Sequence, residues 1–130
     1  MIAVDTSALV AIVLGEVDAE ALLDVLQQGP VVVGAPTLVE AAVVVEARQG
    51  PDAARDLELL VEGVIERVVA FDAAHARAAV DAWRRFGKDR HPAALNFGDC
   101  LSYATAHIAG MPLLFKGNDF SRTDVSAVPY

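Results

Sequence analysis

The chain has a single cysteine among its 130 residues. A lone thiol forms no intramolecular disulfide and lacks the second sulfur of a metal knuckle, so Cys100 is expected to be a small buried apolar side chain. Long apolar stretches are missing as well. Hydrophobic residues make up 55% of the sequence, yet a charged residue interrupts every run well before the roughly 18 residues that a membrane span needs. No membrane segment is expected. Met1 leads directly into "IAVD", without the basic and apolar regions of a secretory signal, which favours a cytoplasmic protein. Positive charge is scarce too: 10 basic side chains stand against 18 acidic ones, a net charge of −8. Such a surface disfavours broad nucleic-acid binding, whose affinity comes mostly from phosphate neutralisation.

What basic charge there is concentrates locally. Arg84, Arg85, Lys88 and Arg90 fall in "RRFGKDRH", beside His91. They read either as a solvated helix end, where cations suit the helix dipole, or as an approach path for a polyanion.

Short branched runs bounded by Gly or Pro alternate with longer helical patterns. "IAVD" (2–5), "VVVGAP" (31–36), "IERVVAF" (65–71), "PLLF" (112–115) and "VSAV" (125–128) read as five strands. "DAEALLDVLQQGP" puts Ala21, Leu22, Val25 and Leu26 on one helical stripe and stops at Gly29-Pro30. Two further helices, from Thr37 and from Pro51, meet at Gly50 and should form a hairpin. "DAAHARAAVDAWRRFG" is expected to turn Ala78, Ala82 and Trp83 inward, and "NFGDCLSYATAHIAG" to run from Asn96 to Gly110. Alternation in this order predicts a parallel sheet covered by helices on both faces, since right-handed crossovers build that arrangement. The length suits one domain spanning 1–130, and no repeat or linker argues otherwise. In such α/β sheets ligands bind beyond the carboxyl ends of the strands, where strand order reverses.

Four acids map to that edge. Asp5 ends the first strand, Glu40 opens the helix after the second, Asp99 opens the helix before the fourth, and Asp119 follows the fourth in "LLFKGNDF". Thr37-x-x-Glu40 and Asn96-x-x-Asp99 have the spacing of capping boxes, Asp5 suits an N-cap, and Asp119 an Asx turn; singly, each acid has an ordinary structural explanation. Together, several carboxylates without matching cations repel one another and are costly to desolvate. A divalent cation resolves the conflict, and Mg²⁺ or Mn²⁺ suits an all-oxygen site.

"MIAVDTSALVAIVLGE", "PTLVEA" and "NFGDCLSYATAHIAGMPLLFKGNDFSRTD", in that order, resemble PIN-domain proteins of the VapC toxin type over nearly the whole chain. The resemblance implies a three-layer α/β/α fold with a central, mostly parallel five-stranded sheet. It also implies a Mg²⁺- or Mn²⁺-dependent endoribonuclease, paired with a VapB-type antitoxin and homodimeric. On this resemblance Asp5, Glu40 and Asp99 take the family's three core acidic positions and Asp119 its more variable fourth, with Asp5, Asp99 and Asp119 as metal ligands. Thr6 or Ser7 fills the hydroxyl position after the first acid, and Asn118 stands beside the fourth.

Phosphodiester hydrolysis needs an activated water, stabilisation of the negative charge that develops at phosphorus, and help for the leaving oxygen; metal ions held by carboxylates supply all three. The sequence offers no rival machinery: His75, His91 and His107 are scattered, and Ser7 and Ser102 have no His/Asp pair at hand. Arg84, Arg85, Lys88 and Arg90, with Lys116 and Arg122, are the candidates for flanking phosphates of RNA. The hairpin from Val43 to Val61 is a candidate surface for the antitoxin or a second copy. A phosphorylation-dependent receiver domain is the competing enzyme-like reading, with Lys116 in its favour, but it wants paired acids after the first strand. A haloacid-dehalogenase-type phosphatase would want D-x-D where "DTS" stands. A PIN fold that only binds RNA or a partner would have lost some of its acids, and all four are present.

Overall fold

The computed structural model describes all 130 residues. Four strands, β1 (Ile2–Val4), β2 (Val31–Gly34), β3 (Ile65–Val69) and β4 (Leu113–Leu114), form one sheet in the order β3-β2-β1-β4. All neighbours are parallel. The connections carry α1 (Thr6–Val13), α2 (Ala19–Leu26), α3 (Ala35–Gln49), α4 (Pro51–Val64), α5 (Ala73–Phe86) and α6 (Phe97–Ala109). No helix is long and apolar enough to cross a membrane.

The three layers follow from the period-2 alternation of the inner strands. Val4, Val31, Val33 and Leu114 point to one face, where Leu9, Leu22, Ala41, Val45, Ala53 and Leu57 bring in α1 to α4. Ala3, Val32 and Leu113 point to the other, against Ala82, Phe86, Tyr103 and Ala104 of α5 and α6. Strands buried on both faces read as the near-continuous apolar runs seen in the sequence. The α3–α4 hairpin forms as expected, turning at Gly50 with φ of 82°, a conformation in which only glycine escapes a steric penalty. Cys100 is buried, and burial pushes its thiol up to about 11.

Three expectations are corrected. The sheet has four strands rather than five: residues 125–128 contribute one isolated bridge between Ala127 and Leu113. β4 offers an edge only two residues long, and Pro129 has no N–H with which to extend the ladder. Trp83, expected inward, is 45% exposed. The inward stripe of α5 is instead His75, Ala79, Ala82 and Phe86, whose two alanines let α5 lie close on α6, while Trp83 sits at the edge of that stripe, about 70° from its centre. Finally, β2 passes into α3 at Gly34, with Pro36 in the first turn, so the helix begins two residues before Thr37. Thr37 is therefore inside the helix, and the Thr37–Glu40 capping box does not form.

The handover at Gly34 depends on a bare Cα. A Cβ there would lie 2.5 Å from Thr105 Oγ1 of α6, a β-branched hydroxyl that is buried and bonded to the Leu101 carbonyl. Gly34→Ala is expected to destabilise the protein by about 1–3 kcal/mol, the usual range for overpacking, and Thr105→Ala, which removes the opposing Oγ1, to recover most of that loss. Urea unfolding of the two single variants and the double variant measures the coupling; additive effects would refute the steric reading.

Candidate active site

β1 is the second strand from one edge, paired with β2 on one side and β4 on the other. The chain goes from β1 to β2 in one direction and reaches β4 in the other, so the order reverses beside the end of β1. Asp5 is the next residue. Its amide bonds to the Leu114 carbonyl of β4 at 2.9 Å, and its side chain caps α1. Asp5 is 4% exposed. A carboxylate so buried must have its lone pairs satisfied, and hydroxyls do this where an ion pair would be expected. Ser102 Oγ donates to Oδ1 at 2.5 Å. The Ser7 amide and hydroxyl donate to Oδ2 at 3.0 and 2.6 Å. Behind them, Thr37 Oγ1 lies 3.2 Å from Ser102 Oγ, and the Lys116 amide donates to Ser7 Oγ at 2.9 Å. Since Ser102 spends its proton on Asp5, Thr37 is the donor in that pair.

Glu40 arrives from α3 and accepts from Thr6 Oγ1 at 2.5 Å. Thr6 and Ser7 thus serve different acids, the first Glu40 and the second Asp5. The Glu40 carboxylate rests against Gly98 of α6: a Cβ at Gly98 would come within 2.6 Å of its Oε1 and closer still to its Oε2. Only hydrogen at residue 98 lets α6 approach this near.

Asp99 sits in the first turn of α6, where it completes a real capping box. Asn96 Oδ1 accepts from the Asp99 amide at 2.8 Å, and Asp99 Oδ2 accepts from the Asn96 amide at 3.0 Å. Capping leaves the carboxylate at the sheet edge rather than removing it. Its pKa is pushed up to about 7, first by burial and then by the charges of Asp5, Asp119 and Glu40, against the lowering effect of the Asn96 amide. The other three acids are therefore near enough for their charges to act on Asp99. Asp119 is the outlying member, exposed in the turn after β4, while the neighbouring Asn118 offers its backbone carbonyl to the Ser121 amide and hydroxyl.

No cation answers this charge. The Lys116 ammonium is 2.6 Å from Glu16, which also removes the lysine that a receiver-type site would need. Arg85 is engaged with Asp124 and Asp81 and donates to the Tyr103 hydroxyl. Arg90 lies over the Trp83 ring with its guanidinium 4.6 Å from the centroid. Arg84, Lys88 and Arg122 are not part of any ion pair. His75 is buried as part of the N-terminal cap of α5 with Asp72, and His107 stacks on Tyr103 at 5.5 Å. Neither histidine bonds to any of the four acids.

The carboxylates do not close on one point as a ready-made cage; no three acidic, histidine or cysteine side chains are grouped tightly enough for that. A Ca²⁺-type site would need such a cage, whereas Mg²⁺ keeps several waters and takes one or two carboxylates directly. An oxygen-only, cation-free cluster of this kind fits the second description. In the sequence the four acids stand out, but Ser102, Thr37 and Gly98 show no role beside them. Ser102 was findable, because it lies three residues after Asp99 and so shares its helix face. Gly98 and Thr37 take their roles from contacts across the fold, for which there is no local signal.

The PIN domain family model matches residues 2–126. A ribonuclease VapC of Mycolicibacterium smegmatis is 48% identical over 126 residues, covering 96% of this chain and 98% of that one. Ribonuclease VapC30 of Mycobacterium tuberculosis is 44% identical over 126 residues, covering 96% of each chain. Among solved structures, Mycobacterium tuberculosis VapC20, described as a sarcin-ricin loop cleaving toxin, matches over 100% of both chains with a TM-score of 0.82 at 23% identity. A toxin–antitoxin complex from Klebsiella pneumoniae matches 100% of this chain and 98% of that one, with a TM-score of 0.73 at 18% identity. The structures support the fold and the curated relatives the lineage: the chain belongs to the PIN domain family, among the VapC ribonucleases.

Proposed function

We propose that this protein is a Mg²⁺- or Mn²⁺-dependent endoribonuclease, the toxin of a toxin–antitoxin pair, working in the cytoplasm as a homodimer and restrained by a VapB-type antitoxin. The observation that carries the metal reading is that three acids, Asp5, Glu40 and Asp119, act on a fourth, Asp99, without a single cation among their partners. Asp5, Asp99 and Asp119 would hold the ion, in part through its waters. When bound, it polarises a phosphoryl oxygen, lowers the pKa of a coordinated water and offsets charge on the leaving oxygen.

The chain's own residues set the geometry for that chemistry. Ser102 and Ser7 fix both oxygens of Asp5, so this ligand is already oriented before anything binds. Thr6 holds one oxygen of Glu40 and leaves the other able to orient a water. Arg84 and Lys88, unpaired at the end of α5 and the loop after it, are the most available of the basic candidates for flanking phosphates; Arg85 and Arg90 reach RNA only by exchanging or sharing their present partners. An antitoxin that extends an arginine or lysine into the acidic pocket would neutralise it by simple Coulomb attraction. The α3–α4 hairpin, with Val39, Val43 and Leu59 exposed, offers apolar area for such a partner or for the second copy.

Purified protein, freed of antitoxin, is expected to cut structured RNA when Mg²⁺ or Mn²⁺ is supplied and to stop in excess EDTA. Asp5→Asn should cut at least about 100-fold more slowly, since even residues that merely orient metal ligands cost 10- to 100-fold when lost. Equal cleavage by both proteins would sink the metal reading.

The raised pKa of Asp99 gives a second expectation. In metal-free protein the folded state holds this proton up to about pH 7, whereas the unfolded chain releases it near the ordinary 3.8. The contribution to stability is thus full below about pH 4, falls as pH rises toward 7 and is level above that. Metal-free Asp99→Asn should match the wild type near pH 4 and melt higher at pH 8, by about 4 °C for each kcal/mol relieved. Mg²⁺, which favours the charged carboxylate, should raise the melting temperature of the wild type at pH 8 and have little effect on the variant. Parallel melting curves across this range would show that Asp99 carries no buried charge.

A further inference from the structure

We propose that the groove between α5 and α6 is a base-stacking subsite, which takes an unpaired base of the bound RNA, with Trp83 and Phe97 as its aromatic surfaces. This inference rests on the ribonuclease reading above and adds where the substrate is gripped.

Phe97 is 81% exposed although it belongs to the first turn of α6, two residues before Asp99. A phenylalanine left in water forgoes roughly 2 kcal/mol of burial, so its position on the helix that carries an acid of the site calls for an occupant. Phe97 and Asp99 are about 200° apart around the helix axis. Phe97 therefore lies on the face of α6 away from Asp99, so a base stacked there belongs to the bound strand beyond the nucleotide being cut.

Trp83 forms the opposite wall and is held in place from two sides. Arg90 lies over its ring at 4.6 Å. Its indole also occupies the space beside Gly87, where a Cβ would meet Trp83 Cδ1 at 2.5 Å. The loop that carries these contacts is tied at its base, with the Lys88 amide bonded to the Leu95 carbonyl at 3.0 Å and the Leu95 amide to the Phe86 carbonyl at 2.9 Å. A fixed ring loses little entropy when something stacks on it. With Val80, Leu95, Leu101 and Lys88, the two aromatics line a groove of about 580 Å³.

Charge decides the occupant. In a chain of net charge −8, this groove carries Lys88 in its lining and the Arg90 guanidinium on the indole of Trp83. An apolar protein partner has no use for that cluster. A single-stranded nucleic acid has a flat apolar base for the aromatics and phosphates for the cations, and this combination of stacking platform and basic rim is how sequence-tolerant single-strand binding works.

Trp83 is the chain's one tryptophan, so the test has a built-in reporter. The Asp5→Asn protein in Mg²⁺, which on the reading above holds RNA without cutting it, is titrated with a single-stranded RNA of about 12 nucleotides. Binding is followed by anisotropy of an end-labelled copy, and stacking by tryptophan emission with the unlabelled one. Expected are quenching that saturates with the same dissociation constant as the anisotropy, and far weaker quenching by an abasic oligonucleotide of equal length. Phe97→Ala, at an exposed position, should keep its fold by circular dichroism and bind about 5- to 150-fold more weakly, the range for losing one stacked base; Phe97→Tyr should restore binding. RNA that binds by anisotropy without changing tryptophan emission, or with full affinity for Phe97→Ala, overturns the subsite while leaving the nuclease reading standing. So does tryptophan emission that follows protein concentration alone, with Phe97→Ala abolishing self-association in sedimentation, since the groove is then a contact between copies. An RNA neither bound here nor cut by the wild type would overturn both.

Discussion

A carboxylate buried at the end of a strand that is itself buried on both faces is the constraint around which this structure is built. Asp5 cannot be hydrated, and no lysine or arginine reaches it, so each of its oxygens must find a neutral donor. Ser7 comes from the helix that Asp5 caps, and Ser102 from α6 on the far side of the sequence. Two further links, from Thr37 and the Lys116 backbone, tie the same small cluster to α3 and to the segment after β4. The four chain segments that meet at the sheet edge are held in register by hydroxyls. Neutral donors orient the acid without neutralising it, which leaves the charge available.

That unneutralised charge links fold to function. Had ion pairs satisfied the acids, the site would be more stable and chemically inert. Instead burial, with the charges of Asp5, Asp119 and Glu40 added to it, holds the proton of Asp99 on toward neutral pH. The cost is borne by the two apolar layers that clamp the sheet. Local caps and site geometry cooperate here: the Asn96–Asp99 box starts α6 and at the same time presents the carboxylate to the sheet edge.

Residues that fail to bury what their type would normally bury mark the outer surface of the site. The inward stripe of α5 is built from small side chains, so α5 and α6 lie close, and Trp83 is left outside beside Phe97. The same tight packing explains why glycine is needed at two crossing points. Gly34 admits Thr105 where β2 becomes α3, and Gly98 admits Glu40 where α3 meets α6.

The alternation of strands and helices, the parallel sheet, the α3–α4 hairpin and the four acids could all be read from the sequence. Each rests on local patterns: apolar runs of strand length, Gly-Pro stops, and acids at element ends. The acids carried extra weight because topology rules map strand ends to one edge before any distance is known. What the sequence alone did not determine depends on pairs far apart in the chain. Thr37 looked like the start of a capping box because its spacing to Glu40 is right, but the helix starts earlier and its hydroxyl turns to Ser102, 65 residues away. Residues 125–128 have strand composition, yet the edge they meet is two residues long and ends against a proline. Trp83 has the hydrophobicity of a core residue and lies outside because the stripe that α6 can accept runs through alanines. Local chemistry decides which elements form and which residues carry charge; only the packing of one element on another decides which hydroxyl serves which carboxylate and which aromatic is left for a ligand.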